Sequence, residues 1–81
     1  MIDKEYNAGK KLKYMEYGFV YLVEVLENLS DYEYMRYGLI VVDILEGGNL
    51  NTRPLRRGDK FVCGKFREDP DPFWNIEDLM W

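Results

Sequence analysis

Histidine is missing from this chain, and cysteine occurs once among 81 residues. The first absence removes His-based catalytic triads, the commonest general base and most catalytic zinc sites. A single cysteine rules out thiolate metal clusters and an internal disulfide, and Cys63 points to a reducing, intracellular setting. Long apolar runs are missing too. Phe19 to Val23 and Leu39 to Val42 are far too short to span a bilayer. Met1-Ile2-Asp3-Lys4-Glu5 places charge where a signal peptide needs an apolar stretch. These features predict a soluble, cytoplasmic protein, in the host cytoplasm if the source is viral. Gly47-Gly48 lacks the following Lys and Ser or Thr of a phosphate-binding loop. No catalytic residue, cofactor or metal ligand is expected.

What is present is apolar and aromatic. Hydrophobic residues make up 47% and aromatics 16%, enough for one small domain with a core. A chain of this length buries only about 60% of its unfolded surface, so the stability margin is thin. Charge falls in blocks. Residues 1–13 carry +2, residues 14–46 carry −6, residues 47–67 carry +5 and residues 68–81 carry −5, for a net −4. The surplus acid disfavours phosphate backbones and favours basic partners.

One stretch is written twice. Tyr14-Met15-Glu16-Tyr17-Gly18 is followed by Tyr34-Met35-Arg36-Tyr37-Gly38, and each runs through aliphatic residues into an acidic ending. Met15, Tyr17, Phe19, Tyr21, Val23 and Val25 alternate with a mixed set, which predicts a strand over 14–27. Asn28-Leu29-Ser30-Asp31 has turn chemistry, and 34–46 returns as a second antiparallel strand. The copies differ by one residue between the glycine and the acid that closes the aliphatic run. A one-residue offset flips side-chain parity, so a β-bulge near Gly18 or Gly38 is expected. Arg57-Gly58-Asp59 is a turn into a third strand, Lys60 to Phe66. Residues 1–13 are read as a polar arm, 14–67 as the sheet or barrel core, and 68–81 as an acidic, proline-containing segment. Asp71 as N-cap and Pro72 at the first helical position predict a short C-terminal helix to about Leu79, packed on the core.

Leu55-Arg56-Arg57-Gly58-Asp59-Lys60-Phe61-Val62-Cys63-Gly64 resembles the turn and strand of the β-barrel domain in translational GTPases. The resemblance covers ten residues, the GTPase domain is absent, and it implies a small barrel only. The expected fold is mainly β: a small, strongly bent antiparallel sheet or SH3-like, partly open barrel with a short C-terminal helix. An α+β sandwich is the alternative.

Cys63 falls in the apolar pattern of the third strand and reads as a core thiol. Glu24 and Asp43 occupy matching places in the two copies and could lie near each other across a hairpin, but a solvated sheet face is the leading reading of the pair. The spacing of Asp69, Asp71, Glu77 and Asp78 lacks the logic of a calcium loop. All seven tyrosines fall in the first 37 residues, a feature of sheet pairing, of protein interfaces and of stacking platforms alike. The leading expectation is a non-catalytic interaction or regulatory protein that binds another protein with a basic surface. One form of it is a virus-type inhibitor that occupies a nucleic-acid-binding site. Its expected contact residues are Tyr14, Tyr17, Tyr34, Tyr37, Glu16, Glu24, Glu27, Asp31, Glu33, Asp43, Glu46, Asp69, Asp71 and Trp74. That form requires the carboxylates to lie in a row clear of arginine. The alternatives are a single-stranded nucleic-acid binder using Tyr14, Tyr17, Tyr34, Tyr37, Lys11, Lys13 and the Arg53–Arg57 loop, and a structural homodimer.

Overall fold

The computed structural model describes residues 6–48, 51, 53–69 and 75–79. Five strands form one antiparallel sheet: β1 (Lys11–Glu16), β2 (Phe19–Asn28), β3 (Tyr34–Glu46), β4 (Lys60–Phe66) and β5 (Ile76–Asp78). Their order across the sheet is β4-β3-β2-β1-β5. The sheet curls strongly into a half-barrel, as the sequence predicts. Among the described residues there is no helix, and so none long and apolar enough to cross a membrane.

The stretch expected as one strand over 14–27 is a hairpin. Glu16 pairs with Phe19, and Tyr17 and Gly18 between them both have positive φ, 50° and 82°. Two such residues in succession make the turn whose twist matches the flanking strands. Asn-Gly is its usual signature; tyrosine in the first position conceals it. The turn also reverses parity. Leu12 and Tyr14 point inward from β1, and Phe19, Tyr21, Val23 and Val25 point inward from β2. Met15 is only half-buried, and Tyr17 is 65% exposed.

The polar arm also needs correcting. Lys11, Leu12 and Lys13 belong to β1, and Leu12 is fully buried opposite Val23. The Gly9 amide donates to the Val25 carbonyl and the Val25 amide to the Lys10 carbonyl, which extends the pairing by two more residues. A single leucine among lysines gives no visible period, yet it needs only one inward position. The C-terminal helix is a second correction. Ile76 to Asp78 are extended and pair with β1, Tyr14 against Ile76. Residues 70–74 lie outside the described set, and with them the proposed cap and first turn.

The β2–β3 pairing slips three times. Leu45, Val42 and Leu26 are each skipped in the register. The last slip lies beside Gly38, where a bulge is expected; the other two are additional. Each extra residue bends and twists the ladder, and together they give the curl. The repeated stretch therefore has two roles. Its first copy ends β1 and forms the turn, whereas its second lies inside β3. Burial is inverted between them: Tyr14 is inside and Met15 half-covered, Tyr34 is half-covered and Met35 fully inside.

The concave side is filled by twelve buried side chains, from Leu12 on β1 to Ile76 on β5. Tyr14 meets Phe61 of β4 across the open side, ring centroids 4.7 Å apart. Phe19 stacks on Tyr21 at 5.9 Å. Each fully interior tyrosine keeps its hydroxyl partnered. The Leu55 amide donates to Tyr21 Oη at 3.0 Å, and the Tyr6 amide to Tyr37 Oη at 3.2 Å. The two contacts lie at different parts of the interior, and each ties a flanking loop to it.

The turn yields a paired prediction. Tyr17→Asn supplies the residue that the turn geometry prefers and should raise stability by about 0.5–1 kcal/mol. Gly18→Val forces a β-branched residue to positive φ and should cost about 1–3 kcal/mol. Urea unfolding of both variants checks the signs.

Candidate interaction surface

The outer, convex face is read from the register. Its rows across β2, β3 and β4 are Glu24–Ile40–Lys60 and Glu27–Gly38–Val62, and below these Arg36–Gly64 and Tyr34–Phe66. The two glycines in the middle of the face give room that neighbouring side chains fill. A Cβ at Gly64 would stand 2.5 Å from Arg36 Cγ and 2.8 Å from the Met35 carbonyl oxygen, so the arginine stem lies where a side chain would be. Glu27 lies against Gly38 in the same way, its Cγ 3.1 Å from the position of a Cβ.

One end of this face is aromatic. Tyr34 and Phe66 have ring centroids 4.6 Å apart, and the Arg36 guanidinium sits 4.9 Å above the Tyr34 ring. Phe66 is 57% exposed and Val62 60% exposed. Tyr32, at the tip of the adjoining loop, is 99% exposed. Large rings left in water beside an arginine are the residue types that dominate protein contacts.

The loop from 29 to 33 is held firmly. Asp31 Oδ1 accepts from the amides of Glu33 and Tyr34, both at 2.9 Å, and Oδ2 accepts from Arg36 Nη2 at 3.1 Å. These bonds, the two backbone amides before the arginine, hold the carboxyl below the usual range. Ser30 Oγ accepts from the Arg36 amide, and Arg67 Nε donates to the Asp31 carbonyl at 2.6 Å. Asn28 Oδ1 accepts from the Ser30 amide at 2.9 Å, so Asn28, Ser30 and Asp31 perform the turn chemistry expected of them.

The structure scatters the expected contact residues. Tyr37 is fully buried and Tyr14 nearly so; both belong to the core. Tyr17 sits in the β1–β2 turn, and Tyr34 on the outer face of β3. Glu24 is opposite Lys11 and Ile40, and Asp43 is opposite Leu22, so the two acids do not pair across the hairpin. Asp43 Oδ1 instead accepts from Arg57 Nη2 at 2.7 Å and Nε at 2.9 Å. That arginine, followed by the Ile44 amide, holds the Asp43 carboxyl low. Glu16 is half-buried beside Tyr14, Glu46 lies at the far end of β3, and Asp69 follows β4. Asp71 and Trp74 fall outside the described residues. Among the described residues of the set, Asp31 and Glu33 share the 29–33 loop, and Tyr34 follows them as the first residue of β3.

Val62, Phe66 and Tyr32 escaped the sequence reading, whereas Gly64 is the site of close approach that its place in a strand suggests. Both parities of β4 are apolar, Phe61 and Cys63 inside, Val62 and Phe66 outside, so alternation does not tell which set faces water. Compared with known proteins, the chain matches no family model, no curated protein and no solved structure.

Cys63 is buried, its Sγ 3.6 Å from Asn75 Oδ1, and burial pushes the thiol up. No group of His, Cys, Asp or Glu among the described residues is arranged to hold a metal ion. Tyr14 is the most perturbed of these groups. Burial, then the neighbouring Glu16 carboxylate, pushes its phenol up to about 12. An unfolded tyrosine ionises near 10. The contribution of this group is therefore intact below about pH 10 and is lost as the pH climbs towards about 12. Tyr14→Phe should flatten that part of the curve of unfolding free energy against pH, measured by urea titration.

Proposed function

We propose that the chain is a non-catalytic interaction module that binds another protein through the outer face of β3 and β4. Tyr34, Arg36, Val62 and Phe66 form the contact centre, with Tyr32 at the rim. The observation that carries this reading is the exposure of Val62 and Phe66, the two most exposed large apolar side chains in the described strands, beside a ring–guanidinium pair. Glu24 and Glu27 border the same face on β2, and the net charge is −4. Both favour a partner that is apolar at its centre and basic around it.

The narrower reading, carboxylates that imitate phosphates, has less support. Asp31 is paired with Arg36 and Asp43 with Arg57, and Glu16 and Glu46 lie elsewhere. A row clear of arginine does not form from these residues. The stacking platform of four tyrosines loses Tyr14 and Tyr37 to the core, which weakens the nucleic-acid reading as well.

A photo-crosslinking side chain at position 66 should trap a protein partner in cell extract, and one at position 44, also partly exposed, should not. Against the trapped partner, Phe66→Ser and Arg36→Glu should each weaken binding about tenfold or more, as expected at the centre of a contact. Unchanged binding by both folded variants would sink the reading. So would single-stranded oligonucleotide binding that weakens steeply with salt.

A further inference from the structure

The edge of the sheet at β4 carries an inference beyond the outer face. Just before β4 the Val41 amide donates to the Asp59 carbonyl, while the Val41 carbonyl accepts from the Gly58 amide, so the Asp59 carbonyl faces β3. At the other end of the strand the Arg67 amide donates to the Glu33 carbonyl. In an antiparallel ladder every second pair exchanges bonds. With the register Leu39–Phe61, Tyr37–Cys63 and Met35–Lys65 in between, the odd residues of β4 bond to β3. The amides of Lys60, Val62, Gly64 and Phe66 point away from the sheet, as do the carbonyls. The Phe66 carbonyl accepts from the Asp69 amide. Among the described residues no strand pairs with this side of β4.

Seven residues long, free of proline and, beyond Lys60 at its start, uncharged on its outer face, β4 has few of the devices that protect an edge. The opposite edge, β5, has three residues. We propose that a second copy of this chain covers β4, strand against strand and antiparallel, about a two-fold axis through Cys63. The symmetry restricts the register. Outward residues must meet outward residues, so the axis passes through a residue and not between two. Placed at Cys63, it pairs the whole strand: Val62 with Gly64 of the second copy, and Lys60 with Phe66, an ammonium stem on a ring. At both ends it sets Asp59 opposite Arg67, unlike charges at each extremity. An axis at Gly64 sets Asp59 opposite Asp69 and runs Lys60 into the turn that follows β4, where the Asp69 amide closes back on Phe66. An axis at Val62 leaves Phe66 opposite Gly58.

The axis at Cys63 is perpendicular to the sheet, so both outer faces look the same way. The Tyr34–Phe66 clusters of the two copies then lie on one surface, which remains open to a partner. Edge pairing is thus separate from partner capture, and either can fail alone.

The test is amide hydrogen exchange by NMR at several protein concentrations, with sedimentation to measure association. Association should bring concentration-dependent protection of the Lys60, Val62, Gly64 and Phe66 amides. Those of Phe61, Cys63 and Lys65, bonded to β3, should be protected throughout. Val62→Pro removes an outward amide only and should weaken self-association about tenfold or more. Val62→Lys, which leaves the backbone untouched, should do the same should the proline variant prove unfolded by circular dichroism. A monomer at millimolar concentration overturns the proposal. So does a dimer in which these four amides stay exposed, or one that folded Val62 variants leave unchanged.

Discussion

A single sheet must bury its own face, and the contact of Tyr14 on Phe61 across the open side is what completes that burial here. β1 and β4 are not neighbours in the sheet. They meet only through side chains, because the ladder between them has curled far enough for two rings to touch. Cys63 on β4 and Asn75 beside β5 meet in the same way. No second layer exists among the described residues, so the interior depends on curvature. Buried apolar area is the main favourable term in a fold this small. A flat sheet with the same pairing would leave the inward face in water. The raised Tyr14 phenol has the same origin: the ring that closes the interior has given up its solvent.

Curvature in turn depends on where the ladder slips. Leu26, Val42 and Leu45 are the unpaired residues, two on β3 and one on β2. All three are at least partly exposed, which is why the extra residue costs little: no inward position is lost to it. The slips also reconcile the two copies of the repeated stretch. A strict duplication would put equivalent residues on equivalent faces. The hairpin turn after the first copy, and the position of the second inside a strand, invert the faces instead. Two tyrosines and a methionine are used in both copies, but as different parts of the fold.

Fold class, the β2–β3 hairpin, the turn before β4 and the bulge by Gly38 could all be read from residue patterns. They rest on period-two alternation and turn chemistry, which act locally. The misread features have equally local causes. Tyr17-Gly18 lacks the usual asparagine, so a two-residue hairpin looked like the middle of a long strand. Leu12 stands alone between lysines, so β1 looked like an arm. At Asp71-Pro72 the helix-start chemistry is present, yet Ile76 finds an inward position opposite Tyr14, and a strand needs only that. The surface was less legible than the fold. Tyr14, Tyr37 and Phe66 are all large rings in strands; only the register decides which is inside. Acids cluster in blocks along the sequence, and the structure disperses them because neighbouring positions along a strand point to opposite faces.

The two edges of the sheet are unequal, and the asymmetry follows from the order of the strands. β1 is the first strand and the hairpin places β2 beside it. β5 then finds the free side of β1 and covers it for three residues. β4 arrives from the other side, after a long connection from β3, and covers Tyr34 to Ile40. Nothing later in the described chain pairs with its outer backbone. Most single-layer folds blunt such an edge with charge, proline or brevity. Here the lysines sit at Lys60 and Lys65, near the two ends of the strand, and Val62 and Gly64 at its middle carry neither charge nor bulk. An edge least protected at its centre is the feature that the proposed matching strand would cover. Val62, which helps to leave the edge open, also makes the outer face apolar together with Phe66. One strand therefore sets both the edge and the face that we propose as contact surfaces.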